Sequence, residues 1–576
     1  MAIGRNESNH DAVRTRFTLP RPTEEHGWIA SALLVTLLVV VPVTALVIVS
    51  TADSSGAWRH LVDTKLLEYV RNTTVLILSV CIVATLIGVA AGWLITAYEF
   101  PARAVLDRAM ILPLAVPPYL SAYAYSDALQ AGGPIESWFR GTLGWSDAGA
   151  WPIDIRSLPA AAIILALALF PYVYIAARQA FESQGYYATV VARTLGMGPI
   201  RSFARVAIPL AWPAVIVGAG LVLMETVADF GVADYCAVDT LSTGVYRAWF
   251  GMDAPSAAAR LSIVTLGGVV ALLLALWCVR RAIPVHHAAS TRPSQRVVLS
   301  RASSICVLSV CAIPVVLGAV VPTVVFVVNA VGVQPGTRME SFLGNALDTG
   351  VLATIAGLVA VALGLVVTYA KRLTRSRLLH ALISLSTLGY AVPGTVIAVG
   401  LLIPLSWLDH TMNSIGTRWG GDRETLGLLL TGSLVAVVLG CQTRFLAVSA
   451  GVIESSLGRV RASIDEAART LGVGATSSFF RVHLPICTGG ALAAGLLVFV
   501  DVAKELPMTL MLRPFNFDTL AVRTHQLASD ERLGEASLNA LGIIGVGVVA
   551  ILILSVIGTA QPRSVNGTRT DGLNHD

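Results

Sequence analysis

Hydrophobic residues along this chain form long runs, and short polar segments separate them. A helix needs about 20 apolar residues to cross the ~30 Å hydrocarbon core of a bilayer. The pattern therefore predicts twelve membrane spans, at residues 29–50, 72–97, 107–129, 160–181, 207–228, 261–280, 304–329, 345–370, 379–405, 426–448, 484–503 and 538–558. Pro113, Pro117 and Pro118 interrupt the third span. Pro393 interrupts the ninth, so both are expected to face protein or a water-filled cavity.

The basic residues are distributed unevenly between the two sides of the predicted bundle. With a cytoplasmic N-terminus, the cytoplasmic segments hold 26 of the 40 lysines and arginines, the outer segments hold 13, and Lys504 stands at a span end. Positively charged loops mark the cytoplasmic side, so both termini are predicted to be cytoplasmic. The first run is too long for the core of a signal peptide, which predicts an uncleaved span. The basic residues thus indicate topology, and no nucleic-acid partner is expected.

Composition points to the same class of protein. Of 576 residues, 55% are hydrophobic and 13% are charged, which is about half the charge typical of a soluble domain. This excludes a disordered chain, a disulfide-rich secreted domain and most soluble enzymes. The seven cysteines show no C-x-x-C spacing, so the sequence gives no sign of a zinc site or a disulfide framework. We therefore expect an all-α, polytopic membrane protein.

The chain contains an internal duplication. The segment ARTLG occurs at 192–196 and again at 468–472, an offset of 276 residues. The same offset pairs Pro117 with Pro393, Glu225 with Asp501, Asp229 with Glu505, Thr243 with Thr519, and Arg247 with Arg523. Residues 29–281 and 304–558 are therefore predicted to be two six-span halves in parallel orientation, with a pathway between them. The remaining segments are a cytoplasmic tail at 1–28, a cytoplasmic linker at 282–303 and a second tail at 559–576.

Both copies of ARTLG lie in a predicted cytoplasmic loop, between the fourth and fifth spans of their half. In the second copy Ala467 and Ala468 precede Gly472, and Pro485 follows at the start of the next span. Alanines on one helical face allow another protein to dock closely, and glycine can adopt the positive φ that ends a helix. Proline suits the first turn of the next helix. The pattern predicts a short helix, a turn and re-entry into the membrane.

The pattern E-A-A-x3-G-x9-[IV]-x-L-P resembles the EAA loop of permease subunits in type I binding-protein-dependent ABC importers. In that family the loop is a coupling helix that sits in a groove of the ATPase subunit, so the resemblance implies two copies of a separate ABC ATPase as cytoplasmic partners. It assigns the coupling role to Glu466, Ala467, Ala468 and Gly472, and in the first half to Ala192, Arg193 and Gly196. The first half has Val190 and Val191 in place of Glu and Ala. Glu466 therefore has the better claim to a polar contact with the ATPase.

Two stretches narrow the resemblance. METVADFGVADYCAVDTLSTGVYRAWF at 224–250 and FVDVAKELPMTLMLRPFNFDTLAVRTHQLASDERLGEA at 499–536 are similar to the fused, two-repeat ferric iron permeases of the FbpB type. Those permeases receive Fe(III) from an extracytoplasmic binding protein. The resemblance implies iron as the cargo, an iron-binding protein as a partner and the bacterial cytoplasmic membrane as the location. Permeases for thiamine, a polyamine or a phosphonate also carry EAA loops, so these solutes are alternatives.

Four acidic residues are spaced for a metal-ion route between the halves. Glu225 and Asp229 share one helix face near the outer end of the fifth span, and Asp501 and Glu505 repeat this spacing in the eleventh. Ionisable residues in a span indicate a pathway or a buried pair, and carboxylate oxygens suit a hard cation. These acids form the candidate translocation pathway, with transient contact to the metal. The alternative is structural pairing of the acids with nearby basic residues, namely Lys504, Arg247 and Arg523.

The chain lacks the residues for an ATP site of its own. A P-loop needs a lysine directly after a glycine, and the three lysines, Lys65, Lys371 and Lys504, follow threonine or alanine. We therefore expect a transport subunit that is not an enzyme, binds no cofactor and uses ATP hydrolysed by its partner. Alternating access, with one half rocking against the other, is the expected mechanism. A transporter driven by an ion gradient and a non-transporting scaffold are the competing classes.

Overall fold

The computed structural model of the chain describes residues 22–559 except 53–55, 144–153, 186–191, 193, 283–295, 333–337, 375 and 419–427. Arg193 therefore lies outside the described residues, as do the two tails up to residue 21 and from residue 560. The described strands have two residues each: β1 (Tyr98–Glu99) pairs in parallel with β2 (Val297–Val298). Nearly everything else is helical, which confirms the prediction of an all-α polytopic fold.

In the first half the described α-helices are α1 (Pro22–Ser50), α2 (Ala57–Thr64), α3 (Leu66–Ala97), α4 (Arg103–Ala109), α5 (Pro118–Leu129), α6 (Pro134–Leu143), α7 (Leu158–Ala180), α8 (Pro199–Ser202), α9 (Ile208–Ala228), α10 (Gly231–Tyr235), α11 (Leu241–Tyr246) and α12 (Pro255–Ala282). A 3-10 helix, Leu112–Ala115, lies between α4 and α5. Single π-helical turns occur at Phe181–Gly185, Phe203–Ala207 and Arg247–Gly251.

In the second half they are α13 (Arg301–Val315), α14 (Val321–Val331), α15 (Arg338–Leu373), α16 (Arg377–Leu385), α17 (Gly394–Arg418), α18 (Leu434–Leu457), α19 (Ala462–Thr470), α20 (Ala475–Ser478), α21 (Leu484–Ala503), α22 (Pro507–Leu512), α23 (Leu520–Ser529) and α24 (Leu533–Thr559). A π-helical turn, Val316–Val320, joins α13 to α14, and another, Phe479–His483, leads into α21. A 3-10 helix, Leu388–Ala391, precedes α17.

Eleven helical segments among the described residues are long and apolar enough to cross a membrane. The predicted third span, 107–129, is not one of them, because it consists of α4, a 3-10 helix and α5. Proline lacks a backbone N–H and disfavours helical geometry at the residue before it, which explains the breaks around Pro113 and Pro117. The predicted ninth span is broken in the same way before Gly394, but α17 continues far enough to cross by itself.

The tenth span differs from its prediction in position. It was expected at 426–448, with Arg444 at its cytoplasmic end, but α18 runs over Leu434–Leu457. Arg444 therefore lies in the middle of a membrane-spanning helix and is buried. It belongs to the interior of the bundle, so the number of basic residues on the side predicted to be cytoplasmic falls from 26 to 25.

Each half is built around three mutually packed long helices. These are α3, α7 and α9 in the first half and α15, α18 and α21 in the second. A Cβ atom at Gly88 of α3 would lie 2.7 Å from Val173 Cβ of α7, and a Cβ at the equivalent Gly364 would meet Ser449 of α18. Small residues let membrane helices approach closely, so glycine at these two positions sets the same tight crossing in both halves.

The first helix of each half packs against the other half. Helix α1 lies against α15 and α17 of the second half, and α14 lies against α5 of the first. As a result, residues from both halves contribute to both of the large hydrophobic cores. The two halves therefore interlock around a common interface.

The repeat changes register just before α11 and α23. Thr240 and Thr519 are both the residue before the first turn, and both side chains accept a backbone hydrogen bond from that turn. The next residue in each case donates its N–H to an equivalent threonine, Thr73 or Thr349. The structural equivalent of Thr519 is therefore Thr240, at an offset of 279, and the predicted pairing of Thr519 with Thr243 is wrong.

Candidate functional site

The four predicted pathway acids line one cavity where the two halves meet. Its volume is about 110 Å³. Helix α9 and the segment after it supply Glu225 and Asp229, and α21 and the segment after it supply Asp501 and Glu505. Both broken spans also reach this cavity, through Pro117, Pro118 and Tyr119 of the first half and Tyr390 of the second.

Two of the acids hold the short helices that follow the long ones. The Asp229 carboxylate accepts hydrogen bonds from the backbone N–H groups of Val232 and Ala233, both at 3.1 Å. The buried Glu505 carboxylate accepts from Met508 N at 3.0 Å, Thr509 N at 2.8 Å and the Thr509 hydroxyl at 2.8 Å. Carboxylates stabilise the free N–H groups of a helical first turn. Asp229 and Glu505 thereby fix the backbone that forms the wall of the cavity.

The other two acids contact side chains only, in the hydrogen bonds and ion pairs described. The Tyr390 hydroxyl donates a hydrogen bond to Glu225, across the boundary between the halves. Asp501 forms an ion pair with Lys504 Nζ at 2.9 Å, one turn along the same segment. Their oxygens are held by side chains and not by the backbone.

Arg444 is the functional candidate that the sequence analysis missed. Its guanidinium lies 3.7 Å from Glu225 Oε2 of the first half and 3.6 Å from Glu505 Oε1 of the second. The cavity thus contains four carboxylates and two cationic side chains, Arg444 and Lys504, for a formal charge of −2. Three or more His, Cys, Asp or Glu side chains do not converge at metal-binding distance anywhere in the described part of the chain.

A larger and mostly apolar cavity lies on the coupling-loop side of the charged one. Its volume is about 600 Å³, and its walls include Leu221, Met224 and Leu497. Tyr390, Asp501 and Lys504 line both cavities. These three polar side chains therefore stand at the boundary between a charged compartment and an apolar one.

The structural alternative for the four acids holds only in part. Lys504 does pair with Asp501. Arg247, however, pairs with Asp239, and Arg523 contacts Gln526 at 3.5 Å. These two arginines thus have partners outside the cavity, and Arg444 takes the place that they were expected to fill.

The two loops with a predicted coupling role end in the same turn. In the second half the Val473 N–H donates to Ala468 O at 2.9 Å, and Gly472 has φ 74°. In the first half the Met197 N–H donates to Ala192 O at 3.0 Å, and Gly196 has φ 87°. A hydrogen bond of this kind marks the end of a helix where the residue after the last turn has a left-handed backbone conformation. Glycine adopts that conformation without strain.

Helix α19, the predicted coupling helix of the second half, is fastened to two neighbouring spans. Arg372 at the end of α15 forms an ion pair with Asp465 at 2.8 Å and donates to the carbonyls of Leu457 and Val460, at the end of α18 and just before α19. Arg469 pairs with Glu25 of α1 at 3.1 Å. Position 96, equivalent to Arg372, is threonine, so the first half lacks the arginine of this fastening.

The loops also expose apolar side chains at their tips. Leu471 is 80% exposed and its equivalent Leu195 is 78% exposed. Ile464, on α19, is 40% exposed, and Glu466 and Ala467 lie on the surface beside it. Exposed apolar patches rimmed by polar residues mark protein-binding surfaces. Ala192, in contrast, is buried at 5% exposure and is unavailable for docking.

Comparison with known proteins gives a consistent set of relatives. The family described as binding-protein-dependent transport system inner membrane component matches residues 84–284. The Fe(3+)-transport system permease protein FbpB 2 of Haemophilus influenzae is 22% identical over 501 residues, 85% of this chain and 90% of that protein. A probable molybdenum ABC transporter permease protein of Haloferax volcanii is 30% identical over 238 residues, 41% of this chain and 82% of that protein. The sulfate transport system permease protein CysT of Escherichia coli is 25% identical over 272 residues, 45% of this chain and 93% of that protein.

Proposed function

This chain belongs to the family of binding-protein-dependent transport system inner membrane components, as the membrane-spanning permease of an ABC importer, and we propose that its cargo is ferric iron. A permease of this kind is a transport subunit and not an enzyme. The match to the iron permease extends over both halves, whereas the molybdenum and sulfate relatives correspond in length to about one half. Length of match alone does not identify a cargo, so the chemistry of the cavity carries the proposal.

The charge of the cavity is the observation that favours a cation. Four carboxylates face two cationic side chains, and both cations are already paired with those carboxylates. An anion such as sulfate would have to approach acidic oxygens in a poorly hydrated interior, where like charges repel strongly. A hard cation is attracted by the same oxygens. Tyr390 and Tyr119 add phenolic oxygens to the lining.

The mechanism we propose is alternating access driven by a separate ATPase. Two ATPase copies bind the loops that end at Gly196 and Gly472 and, on closing around ATP, move them together. The fastening of α19 to α15 and α1 transmits this movement to a span of the second half and to the first span of the first half. The charged cavity then opens outward to receive iron from an extracytoplasmic binding protein, and after hydrolysis it opens towards the apolar cavity below. The chain binds no ATP itself.

Orientation follows from the same proposal. The coupling loops face the cytoplasm, since that is where the ATPase has access to ATP, and both termini are on that side. The basic residues favour this orientation, at 25 on the coupling-loop side against 13 on the other. The location is the bacterial cytoplasmic membrane.

The deciding experiment is uptake by the permease reconstituted in liposomes with its ATPase and binding protein. We expect uptake of ⁵⁵Fe(III) that requires ATP and is lost when Glu225 and Asp501 are replaced together by Gln and Asn. ATP-dependent uptake of sulfate or molybdate without iron uptake would overturn the cargo. Iron uptake without any ATPase would instead indicate a transporter driven by an ion gradient.

A further inference from the structure

Arg444 occupies a position that only the second half provides. In the first half the equivalent of Arg444 on α7 is Ala168, and the equivalent of Lys504 is Ala228, both buried. Each half contributes two carboxylates to the cavity, but both cations come from the second half. The repeat is therefore symmetric in its acids and asymmetric in its bases.

The contacts of Arg444 are loose for a buried arginine. Its side chain is 10% exposed, and its two ion pairs, at 3.6 and 3.7 Å, are longer than a charge-assisted hydrogen bond of about 2.8 Å. Its Nε is buried without a hydrogen-bond partner among the residues that the structure describes. Its two acids, in contrast, are engaged elsewhere: Glu225 accepts from Tyr390, and Glu505 accepts from the first turn of α22.

These long ion pairs indicate that the Arg444 guanidinium balances negative charge in the cavity and does not anchor the helices to each other. Two carboxylates from opposite halves would repel each other in a low-dielectric cavity if nothing positive lay between them. A guanidinium placed between them removes that repulsion, and because it forms no tight hydrogen bond to either acid, its displacement breaks little. The space that it fills is also the space in which a cation would reach both halves at once.

We propose that Arg444 is a tethered counter-cation of the translocation cavity: its guanidinium holds the place between Glu225 and Glu505 that the cargo cation takes during passage. This inference rests on the proposed cation transport of the chain. With Arg444 present the empty cavity has a formal charge of −2 instead of −3, and the arriving cation replaces the guanidinium at the two acids. It also lowers the affinity for the cargo, so that the ion is released instead of remaining bound.

Binding of Tb³⁺ to the full-length permease in nanodiscs tests this directly. Tb³⁺ is a hard trivalent cation whose luminescence is sensitised by nearby tyrosines, and Tyr119 and Tyr390 line the cavity. Removing the positive charge in Arg444→Gln should tighten binding by about tenfold or more, since a charge within 4–6 Å shifts such equilibria by at least one decade. Glu225→Gln should weaken binding in the same assay.

Two further variants distinguish the position from the charge alone. Lys504→Gln removes an equal charge from the same cavity, but from a side chain that pairs within its own half, so its effect should be smaller than that of Arg444→Gln. Arg444→Lys keeps the charge but replaces the planar guanidinium fork, which faces both acids, by a single ammonium group, and it should bind Tb³⁺ with intermediate affinity. Unchanged or weaker binding in Arg444→Gln, or an equal gain in Lys504→Gln, would overturn the proposal.

If Arg444→Gln does not fold, Arg444→Lys decides the question, and wild-type affinity in that variant counts against the proposal. The result is also separable from the cargo assignment. Iron uptake that fails in liposomes, together with tighter Tb³⁺ binding in Arg444→Gln, would remove iron as cargo and leave the counter-cation in place. Iron uptake by the wild type, together with unchanged Tb³⁺ binding in Arg444→Gln, would keep iron as the cargo and remove the counter-cation.

Discussion

Asp229 and Glu505 stand 276 residues apart and make the same backbone contacts. Each carboxylate accepts hydrogen bonds from the N–H groups of the third and fourth residues after it, at 2.8–3.1 Å. The four acids of the cavity therefore form two classes. One pair shapes the wall through the backbone, and the other pair, Glu225 and Asp501, presents oxygens to side chains and to the interior.

The two classes should respond differently to mutation. Replacing Asp229 or Glu505 by alanine leaves first-turn N–H groups without an acceptor and should cost about 1–2 kcal/mol of stability each. The thermal unfolding midpoint of the purified permease measures this. Glu225→Ala is the matched control, because it removes a carboxylate beside Arg444 without freeing a backbone N–H. If Glu225→Ala lost as much stability as the Asp229 and Glu505 variants, the backbone contacts would not explain the difference between the two pairs of acids.

The link between Arg372 and Asp465 should govern how movement of the coupling helix reaches the spans. In Asp465→Asn and Arg372→Gln the ion pair at 2.8 Å is lost, and we expect uptake per ATP hydrolysed to fall roughly fivefold or more, since about 1 kcal/mol already changes such a ratio fivefold. The ATPase should still co-purify, because the exposed face of α19 is unchanged. Arg461→Gln, an exposed position at the start of α19, should transport normally. Normal uptake in the Asp465 variant would refute this route of coupling.

Much of the architecture could be predicted from the sequence, because it depends on local patterns. Apolar runs gave eleven of the spans, and the ARTLG repeats located both turns. Arg444 was misplaced since the boundary of α18 differs by several residues from the apolar run, and its partners are 219 and 61 positions away in the chain. The offset between the two repeats changes from 276 to 279 residues near Thr240 and Thr519. This change is visible only in the contacts of Thr73 and Thr349, which sequence spacing does not show.

The ion-pair cluster of Asp239 makes the stability of the fold depend on pH. Burial alone would raise the pKa of Asp239, but hydrogen bonds from Lys65 and Arg247 outweigh it and lower the pKa. An acid whose pKa is lower in the folded state stabilises the fold above its unfolded value, about 3.9 for Asp, and this contribution is lost as the pH falls below it. The wild type should therefore be more stable than Asp239→Asn at pH 7, with the difference shrinking below about pH 4. A constant difference in unfolding midpoint from pH 7 to pH 3 would contradict the pKa assignment.

The positive φ angles of Gly196 and Gly472 should be required for coupling. Alanine in the left-handed region costs about 1 kcal/mol or more, and it would distort the turn that positions Leu195 or Leu471. We expect Gly472→Ala and Gly196→Ala to weaken co-purification of the ATPase. Gly198→Ala is the control, because Gly198 lies in the same loop without a positive φ and a Cβ there would meet nothing within 4 Å. Equal effects at positions 196 and 198 would mean that φ is not the cause.

Gly394 should be needed for the contact between Arg444 and Glu505. It begins α17, and a Cβ atom there would lie 3.0 Å from Glu505 Oε1 and 3.3 Å from the Arg444 guanidinium. Contacts this short force the neighbours to move by a few tenths of an ångström. In Gly394→Ala the Glu505 carboxylate is held by the first turn of α22, so Arg444 is the side chain that moves.

We therefore expect weaker pairing of Arg444 with Glu505 in Gly394→Ala, tighter Tb³⁺ binding and slower iron uptake. Gly489→Ala, in α21 with nothing within 4 Å of its Cβ position, should leave both measurements unchanged. Unaltered Tb³⁺ binding in Gly394→Ala would mean that the cavity absorbs the methyl group without moving Arg444.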